Sequence, residues 1–208
     1  SSKIISFDTT TQEFTTVNSS YTFGTSAAVA VGNKIYTFNQ SKLYVYDTSS
    51  GSIVSGTLSG SIPSRAGVAA VGNKIYFFGG YISGVVNGIY IYDIDAGTIT
   101  TSSAKLTAKR DYATASAVGN KIYIFGGGTN NTDEISVYDT ETDSIEVLPI
   151  TTPKVLWGLT STTVGTDIYI TSGAVDTTVG SFNNQIYKLT TVTTKTIKAG
   201  TYRFNDVL

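Results

Sequence analysis

The sequence predicts an all-β propeller made of four-stranded antiparallel blades. The strongest observation is a phrase, Val-Gly-Asn-Lys-Ile-Tyr, that occurs three times and returns once in altered form. The copies lie at Val31–Tyr36, Val71–Tyr76, Val118–Tyr123 and Val164–Tyr169. They are 40, 47 and 46 residues apart, a period that is typical of propeller blades.

Each repeat unit contains four predicted strands, which we label a to d. In the third unit they are Ala113–Val118 (a), Lys121–Phe125 (b), Glu134–Tyr138 (c) and Ser144–Leu148 (d). The Gly-Asn pair between strands a and b predicts a two-residue hairpin turn, in which glycine supplies the positive φ. Strand b is apolar on both faces, which predicts burial between two neighbouring blades.

A Tyr-Asp pair marks the end of strand c in three units, at Tyr46-Asp47, Tyr92-Asp93 and Tyr138-Asp139, and Phe7-Asp8 repeats it near the N-terminus. We expect each aspartate to accept hydrogen bonds from backbone amides ahead of it and so to start the c–d turn. Glycine pairs at Gly79-Gly80 and Gly126-Gly127 end strand b, where crowding leaves no room for a side chain.

This pattern resembles the kelch family of propellers, and the best copy, Arg110–Leu148, contains the arginine, the glycine pair and the Tyr-Asp of that family. The resemblance covers nearly the whole chain. Arg65 and Arg110 both resemble the kelch arginine before strand a. The chain departs from the family where kelch repeats place a tryptophan in strand d, since it has Ile53, Ile99, Ile145 and Ile197 there. Kelch domains bind many unrelated partners, so the resemblance implies no single function.

One domain is expected over residues 1–208, with full blades at about 25–58, 63–104, 110–150 and 154–199. Lys3–Asp8 and Glu13–Val17 are predicted to be strands c and d of a partial fifth blade. Residues 201–208 are assigned to the same blade as its strand a, and Thr196–Lys198 to strand d of the fourth. The strand that is then missing leaves two alternatives open, a five-bladed ring closed by both termini or a segment of a larger assembly.

Composition excludes several kinds of chemistry. The chain has no cysteine and no histidine, which removes disulfides, thiol nucleophiles, Ser-His-Asp triads and metal sites of imidazole or thiolate. We therefore expect no metal, no cofactor and no catalytic residues. A net charge of −1 offers no electrostatic basis for binding nucleic acid, and no apolar stretch is long enough for a membrane span.

Carboxylates are the remaining route to catalysis, and a carbohydrate-active enzyme is the residual alternative. Most of the acids are the repeated strand-c aspartates, whose repetition indicates turn capping. Asp133-Glu134 precedes a strand c and is expected in a solvated loop.

Candidate binding residues lie in the b–c and d–a connections, which emerge on one face of a propeller and differ between repeats. They combine aromatic rings with amides, a set that suits sugars, and with arginines, a set that suits protein partners. For Trp157 and Tyr112 the alternative is packing between blades, and for the arginines it is structural pairing. The candidates are Trp157, Tyr112, Arg110, Arg65, Tyr81, Asn87, Asn130, Asn131, Phe182 and Asn183.

The resulting hypothesis is a non-enzymatic recognition module that binds a glycan or a protein through this face. The alternative is a structural protein whose incomplete blade and strand edges dock on neighbouring chains. Abundant serine and threonine, with only 14% charged residues, favour an extracellular, cell-surface or virion location such as a phage tail, although a cytoplasmic one is compatible with the sequence.

Overall fold

A computed structural model describes residues 3–18, 21, 27–128, 132–153, 155–171, 173–174, 185–191 and 205–206. All regular secondary structure in these ranges is β-strand. Within them, no helix is long and apolar enough to cross a membrane.

Four antiparallel sheets of four strands form the blades, and the strands of each follow one another in chain order. Blade 1 contains β3 (Ala28–Val31), β4 (Lys34–Asn39), β5 (Lys42–Asp47) and β6 (Ile53–Thr57). Blade 2 contains β7 (Gly67–Val71), β8 (Lys74–Phe78), β9 (Gly88–Asp93) and β10 (Thr98–Lys105). Blade 3 contains β11 (Thr114–Val118), β12 (Lys121–Phe125), β13 (Glu134–Asp139) and β14 (Ser144–Thr151). Blade 4 contains β15 (Thr160–Val164), β16 (Asp167–Thr171), β17 (Ile186–Thr190) and β18 (Asn205–Asp206).

A fifth, two-stranded sheet consists of β1 (Lys3–Phe7) and β2 (Phe14–Asn18). The predicted all-β propeller of four-stranded antiparallel blades is thus confirmed. In blade 3 the predicted strand b is confirmed residue for residue, whereas strand d runs on to Thr151. It does so because an irregularity between Glu134 and Ser136 shifts the register and pairs Glu134 with Thr151.

Two residues near the C-terminus, Asn205 and Asp206, lie in a different place from the one that the sequence predicted. Asp206 and Asn205 pair with Tyr187 and Lys188 of β17, so they occupy the strand d position of blade 4. A strand c at the edge of a sheet has unpaired backbone groups, and Asn205 and Asp206 pair with part of them. Thr196–Lys198, assigned to that position, lies outside the described residues. The partial fifth blade of residues 1–17 with 201–208 stays a prediction, except that Asn205 and Asp206 pair with blade 4 instead.

The local turn chemistry follows the expectation. Gly32, Gly72 and Gly119 have φ of +59°, +56° and +60°, and the asparagines after them do not have positive φ, as in a type II′ turn. The strand-c aspartates start the c–d turns: Asp139 Oδ1 accepts hydrogen bonds from the amides of Glu141 (2.9 Å) and Thr142 (3.2 Å). Asp47 and Asp93 accept equivalent pairs.

The core lies between the blades, because strand b buries side chains on both of its faces. Between blades 1 and 2, Phe38 packs edge-on against Phe77, with ring centroids 5.0 Å apart. Between blades 2 and 3, Phe78 packs against Tyr138 at 5.6 Å. Between blades 3 and 4, Phe125 joins a buried cluster with residues of β16 and β17. Stacked blades therefore explain why strand b has apolar side chains on both faces.

The glycine pairs leave room for backbone that packs against the end of strand b. A Cβ on the first glycine would collide with the d–a connection of the next blade, at Arg110 for Gly79 and at Leu156 for Gly126. A Cβ on the second glycine would collide with the d–a connection of its own blade. A Cβ on Gly80, whose φ is +93°, would lie 2.5 Å from the carbonyl oxygen of Ser64 and 2.7 Å from Cβ of Pro63. A Cβ on Gly127 would lie 2.7 Å from Cβ of Arg110. The predicted crowding is confirmed at both positions.

A group of side-chain hydrogen bonds between blades 2 and 3 was not predicted. Asp143, at the c–d turn of blade 3, accepts hydrogen bonds from Tyr138 Oη at 2.7 Å, from Ser103 Oγ at 2.9 Å and from Ser102. The bonds from Ser102 and Tyr138 hold the pKa of this carboxyl at about 2. With φ of +50°, Asp143 occupies the position that Gly51 and Gly97 hold in the first two blades.

Candidate functional site

The residues just before each strand a form a hydrogen-bonded series from blade to blade. The amide of Tyr112 donates to the carbonyl of Arg65 at 2.8 Å, and the amide of Gly158 donates to the carbonyl of Tyr112 at 3.0 Å. Arg65, Tyr112 and Gly158 are therefore equivalent positions of blades 2, 3 and 4, placed next to one another.

A second set of backbone pairs joins each of these segments to the end of strand b in the same blade. Tyr81 pairs with Ser64, and Trp157 pairs with Ala174. The amide of Gly128 likewise donates to the carbonyl of Asp111 at 2.8 Å. This repeated pairing places the start of the b–c loop beside the d–a connection, so it places Tyr81 beside Arg65.

Four predicted binding residues meet here, and we call them the aromatic–arginine cluster: Tyr81, Arg65, Tyr112 and Trp157. The guanidinium of Arg65 lies 5.4 Å from the ring centroid of Tyr81 and 5.0 Å from that of Tyr112. The rings of Tyr112 and Trp157 are 5.7 Å apart and meet edge-on at 63°. Tyr81 and Tyr112 remain 40% and 38% exposed. The cluster is thus continuous across three blades and open to solvent.

The positive charge of Arg65 is partly balanced by a buried carboxylate. Its Nη1 lies 3.7 Å from Oδ2 of Asp111, whose side chain is 8% exposed, whereas the side chain of Arg65 is 45% exposed. Two rings and one carboxylate therefore fix the orientation of this guanidinium.

Trp157 contributes both packing and a polar atom. Its side chain is half-buried against Tyr112, so the packing alternative describes part of its role. Its Nε1–H is buried and has no acceptor among the described residues. A buried donor without an acceptor is costly, and it is suited to an oxygen of a bound partner or of a water molecule.

Arg110 lies under the surface rather than on it. Its side chain is fully buried, and Nη2 donates to Oε1 of Glu134 at 2.8 Å. Burial lowers the pKa of Arg110, and the bond to Glu134 opposes that effect. Its Nε and Nη1 have no acceptor among the described residues. The structure therefore shows structural pairing for this residue, and its ligand-binding role stays a prediction.

The two arginines also differ in register. Because Tyr112 follows Arg65 in the hydrogen-bonded series, Arg110 is equivalent to Pro63 of blade 2 and Leu156 of blade 4. Spacing alone made Arg65 and Arg110 look like one repeated residue, which they are not.

Glu134 was expected in a solvated loop, and that expectation is wrong. Its carboxylate is half-buried between blades and accepts hydrogen bonds from Thr107 Oγ1 and Ser136 Oγ, each at 2.7 Å, besides Arg110. Burial alone would raise the pKa of Glu134, but the bonds from Ser136, Thr107 and Arg110 together lower it. Asp133 is exposed, as expected. The contact between Arg110 and Glu134 joins residues that are 24 apart in the sequence, so the local sequence pattern does not reveal it.

Asn87 has a structural contact as well. Its Nδ2 donates to the carbonyl of Leu106 at 3.0 Å, and the amide of Leu106 donates to the carbonyl of Asn87 at 2.9 Å. The loop that holds Tyr81 also closes on itself, since the amide of Val86 donates to the carbonyl of Gly80 at 2.9 Å. These bonds fix the loop that presents Tyr81.

The other predicted residues, Asn130, Asn131, Phe182 and Asn183, lie outside the described part of the chain. Across the part that is described, no three acidic side chains come together in a group that could hold a metal ion.

Stacked four-stranded blades, inter-blade glycine pairs and the capped c–d turns define a propeller of kelch type. Residues 24–194 match the family model for the KLHDC2/KLHL20/DRC7 Kelch-repeats domain, and the chain belongs to this family of kelch repeats. A search of curated proteins found no significant match. Kelch-repeat propellers are generally non-catalytic binding domains that typically bind proteins, and the fold thus suggests a protein-binding module.

Proposed function

We propose that this protein is a recognition module that binds a protein partner on the aromatic–arginine cluster. The observation that carries the proposal is the exposure of a continuous set of two tyrosines, a tryptophan and an arginine across three blades. These residue types supply most of the binding energy where protein interfaces have been scanned with alanine.

The cluster is also organised before any partner arrives. Tyr81 is held by two backbone pairs, with Ser64 and with Val85, and Arg65 is fixed by its two rings and by Asp111. Side chains that are already ordered lose little conformational entropy on binding, so more of the contact energy contributes to affinity.

A protein suits this surface better than a glycan does. Sugar sites place amide side chains beside aromatic rings. Asn87 is the one predicted amide side chain among the described residues, and its Nδ2 already donates to the carbonyl of Leu106. Arginine between tyrosines is instead a feature of protein interfaces. A glycan partner and a cell-surface or virion location stay predictions.

The test begins with purified protein and two defined panels, a display library of peptides and small domains, and a glycan array. The best protein ligand should bind Trp157→Ala and Tyr112→Ala at least about 30-fold more weakly, the loss typical of a hot spot. Val54→Ala is the matched control, because Val54 is an apolar side chain 64% exposed in β6 of blade 1, outside the cluster.

Unchanged affinity in both cluster variants, with Tm also unchanged, would contradict the proposal. A selective hit on the array alone, abolished by Trp157→Ala, would replace the protein partner with a glycan at the same site.

A further inference from the structure

The β1–β2 hairpin presents an uncovered apolar face. Phe7 pairs with Phe14 and Ile5 pairs with Thr16, so Ile5, Phe7 and Phe14 point to the same side of the sheet. They are 63%, 50% and 73% exposed, and the two phenylalanine rings are 4.9 Å apart. Such a set of neighbouring apolar side chains is unusual on a surface that contacts only water.

The hairpin has the internal features of strands c and d of a blade. Asp8 Oδ1 accepts hydrogen bonds from the amides of Thr10 at 2.7 Å and Thr11 at 3.0 Å, the same turn that Asp47, Asp93 and Asp139 make. Those bonds lower the pKa of Asp8 as well. Phe7 and Phe14 therefore correspond to the c–d pairs Tyr92–Ile99 and Tyr138–Ile145.

In blades 1 to 3, that row of side chains begins one strand earlier, in strand b. An isoleucine of strand b pairs with the strand-c aromatic residue, in Ile35–Tyr46, Ile75–Tyr92 and Ile122–Tyr138. Ile75 and Ile122 are fully buried. In the hairpin, the corresponding row of paired side chains starts at Phe7 of β1, because β1 pairs only with β2 among the described residues. The hairpin thus lacks both the backbone partner of a strand b and its isoleucine.

The described strands of this chain do not supply that partner. Each strand b is already paired inside its own blade, and Asn205–Asp206 pairs with β17. An edge strand with unpaired N–H and C=O groups beside exposed phenylalanines is the arrangement that accepts an added strand.

We propose that the open edge of β1 is a docking site for a β-strand of a second protein chain. That strand would have the chemistry of a kelch strand b, with an isoleucine opposite Phe7 and apolar residues at alternating positions. It would pair antiparallel with β1 and complete the sheet on the side away from β2. This site is separate from the aromatic–arginine cluster.

A synthetic peptide with the sequence of residues 113–126, which contains strands a and b of blade 3, is a direct probe. Labelled peptide is titrated with the full chain and followed by fluorescence anisotropy, and hydrogen exchange is measured at residues 3–7. We expect saturable binding with slower exchange in β1. The control peptide has aspartate in place of Ile122 and Ile124, and should bind at least about tenfold more weakly.

Two variants locate the contact. Phe7→Ser removes the side chain next to the added strand, and should weaken peptide binding about tenfold or more. Phe14→Ser, one strand further away, should weaken it less. The proposal is overturned if peptide binding is absent, if the aspartate peptide binds equally well, or if slower exchange occurs only outside β1. In the last case the peptide has replaced a strand of a full blade, or the chain's own residues already cover the edge.

Discussion

At the scale of single residues, the contacts across blades decide what each side chain does. Arg65 and Arg110 both come shortly before a strand a, yet one is exposed between two tyrosines and the other is buried against Glu134. Tyr81, Tyr112, Trp157 and Arg65 were predictable as a set, because aromatic and basic residues stand out in variable loops. The buried roles of Arg110 and Glu134 were not, because they depend on which blade faces which.

The two arginines should respond to substitution in opposite ways. Arg110→Leu leaves the half-buried Glu134 without its ion pair, and we expect the free energy of unfolding to fall by about 2–4 kcal/mol. Arg65→Leu removes an exposed ion pair and should cost less than about 1 kcal/mol of stability while weakening partner binding. Urea denaturation measures both. Equal losses of stability would contradict the buried position of Arg110.

At the scale of strands and turns, most of the fold could be predicted from the sequence. Gly-Asn turns, Asx turns and strand alternation depend on residues that are close in sequence, so the sequence of each repeat predicts its own strands and turns. Asp143 was missed because its partners, Ser102 and Ser103, belong to the preceding blade. The position of Asn205–Asp206 was missed because two residues are too few to show a pattern.

Glycine at the end of strand b should be far less replaceable than glycine in an outer strand. Gly80→Ala combines an unfavourable φ with Cβ contacts of 2.5 Å to the carbonyl oxygen of Ser64 and 2.7 Å to Cβ of Pro63. We therefore expect the free energy of unfolding to fall by about 2–4 kcal/mol. Gly56→Ala in β6 is the control, because its Cβ would meet nothing within 4 Å, and it should change stability by no more than about 0.5 kcal/mol. Thermal and chemical denaturation of both variants provide the comparison, and similar values for the two would contradict the close packing of the d–a connection against Gly80.

At the scale of the whole molecule, partner recognition depends on the alignment of several blades. Arg65 and Tyr81 belong to blade 2, Tyr112 to blade 3 and Trp157 to blade 4. No blade holds the aromatic–arginine cluster alone, so the inter-blade cores and the hydrogen-bonded series before the a strands position it. Assembly through the β1 edge, on the other hand, depends on a hairpin that belongs to none of the four full blades.

The fluorescence of Trp157 tests the central claim most directly, because it is the only tryptophan of the chain and lies within the proposed site. A tryptophan-free protein ligand, chosen from the display library for its affinity, is titrated while the emission spectrum is recorded. We expect a saturable shift of the emission maximum whose midpoint equals the Kd measured independently by calorimetry. Binding by calorimetry without any change in Trp157 emission would place the partner elsewhere and contradict the account.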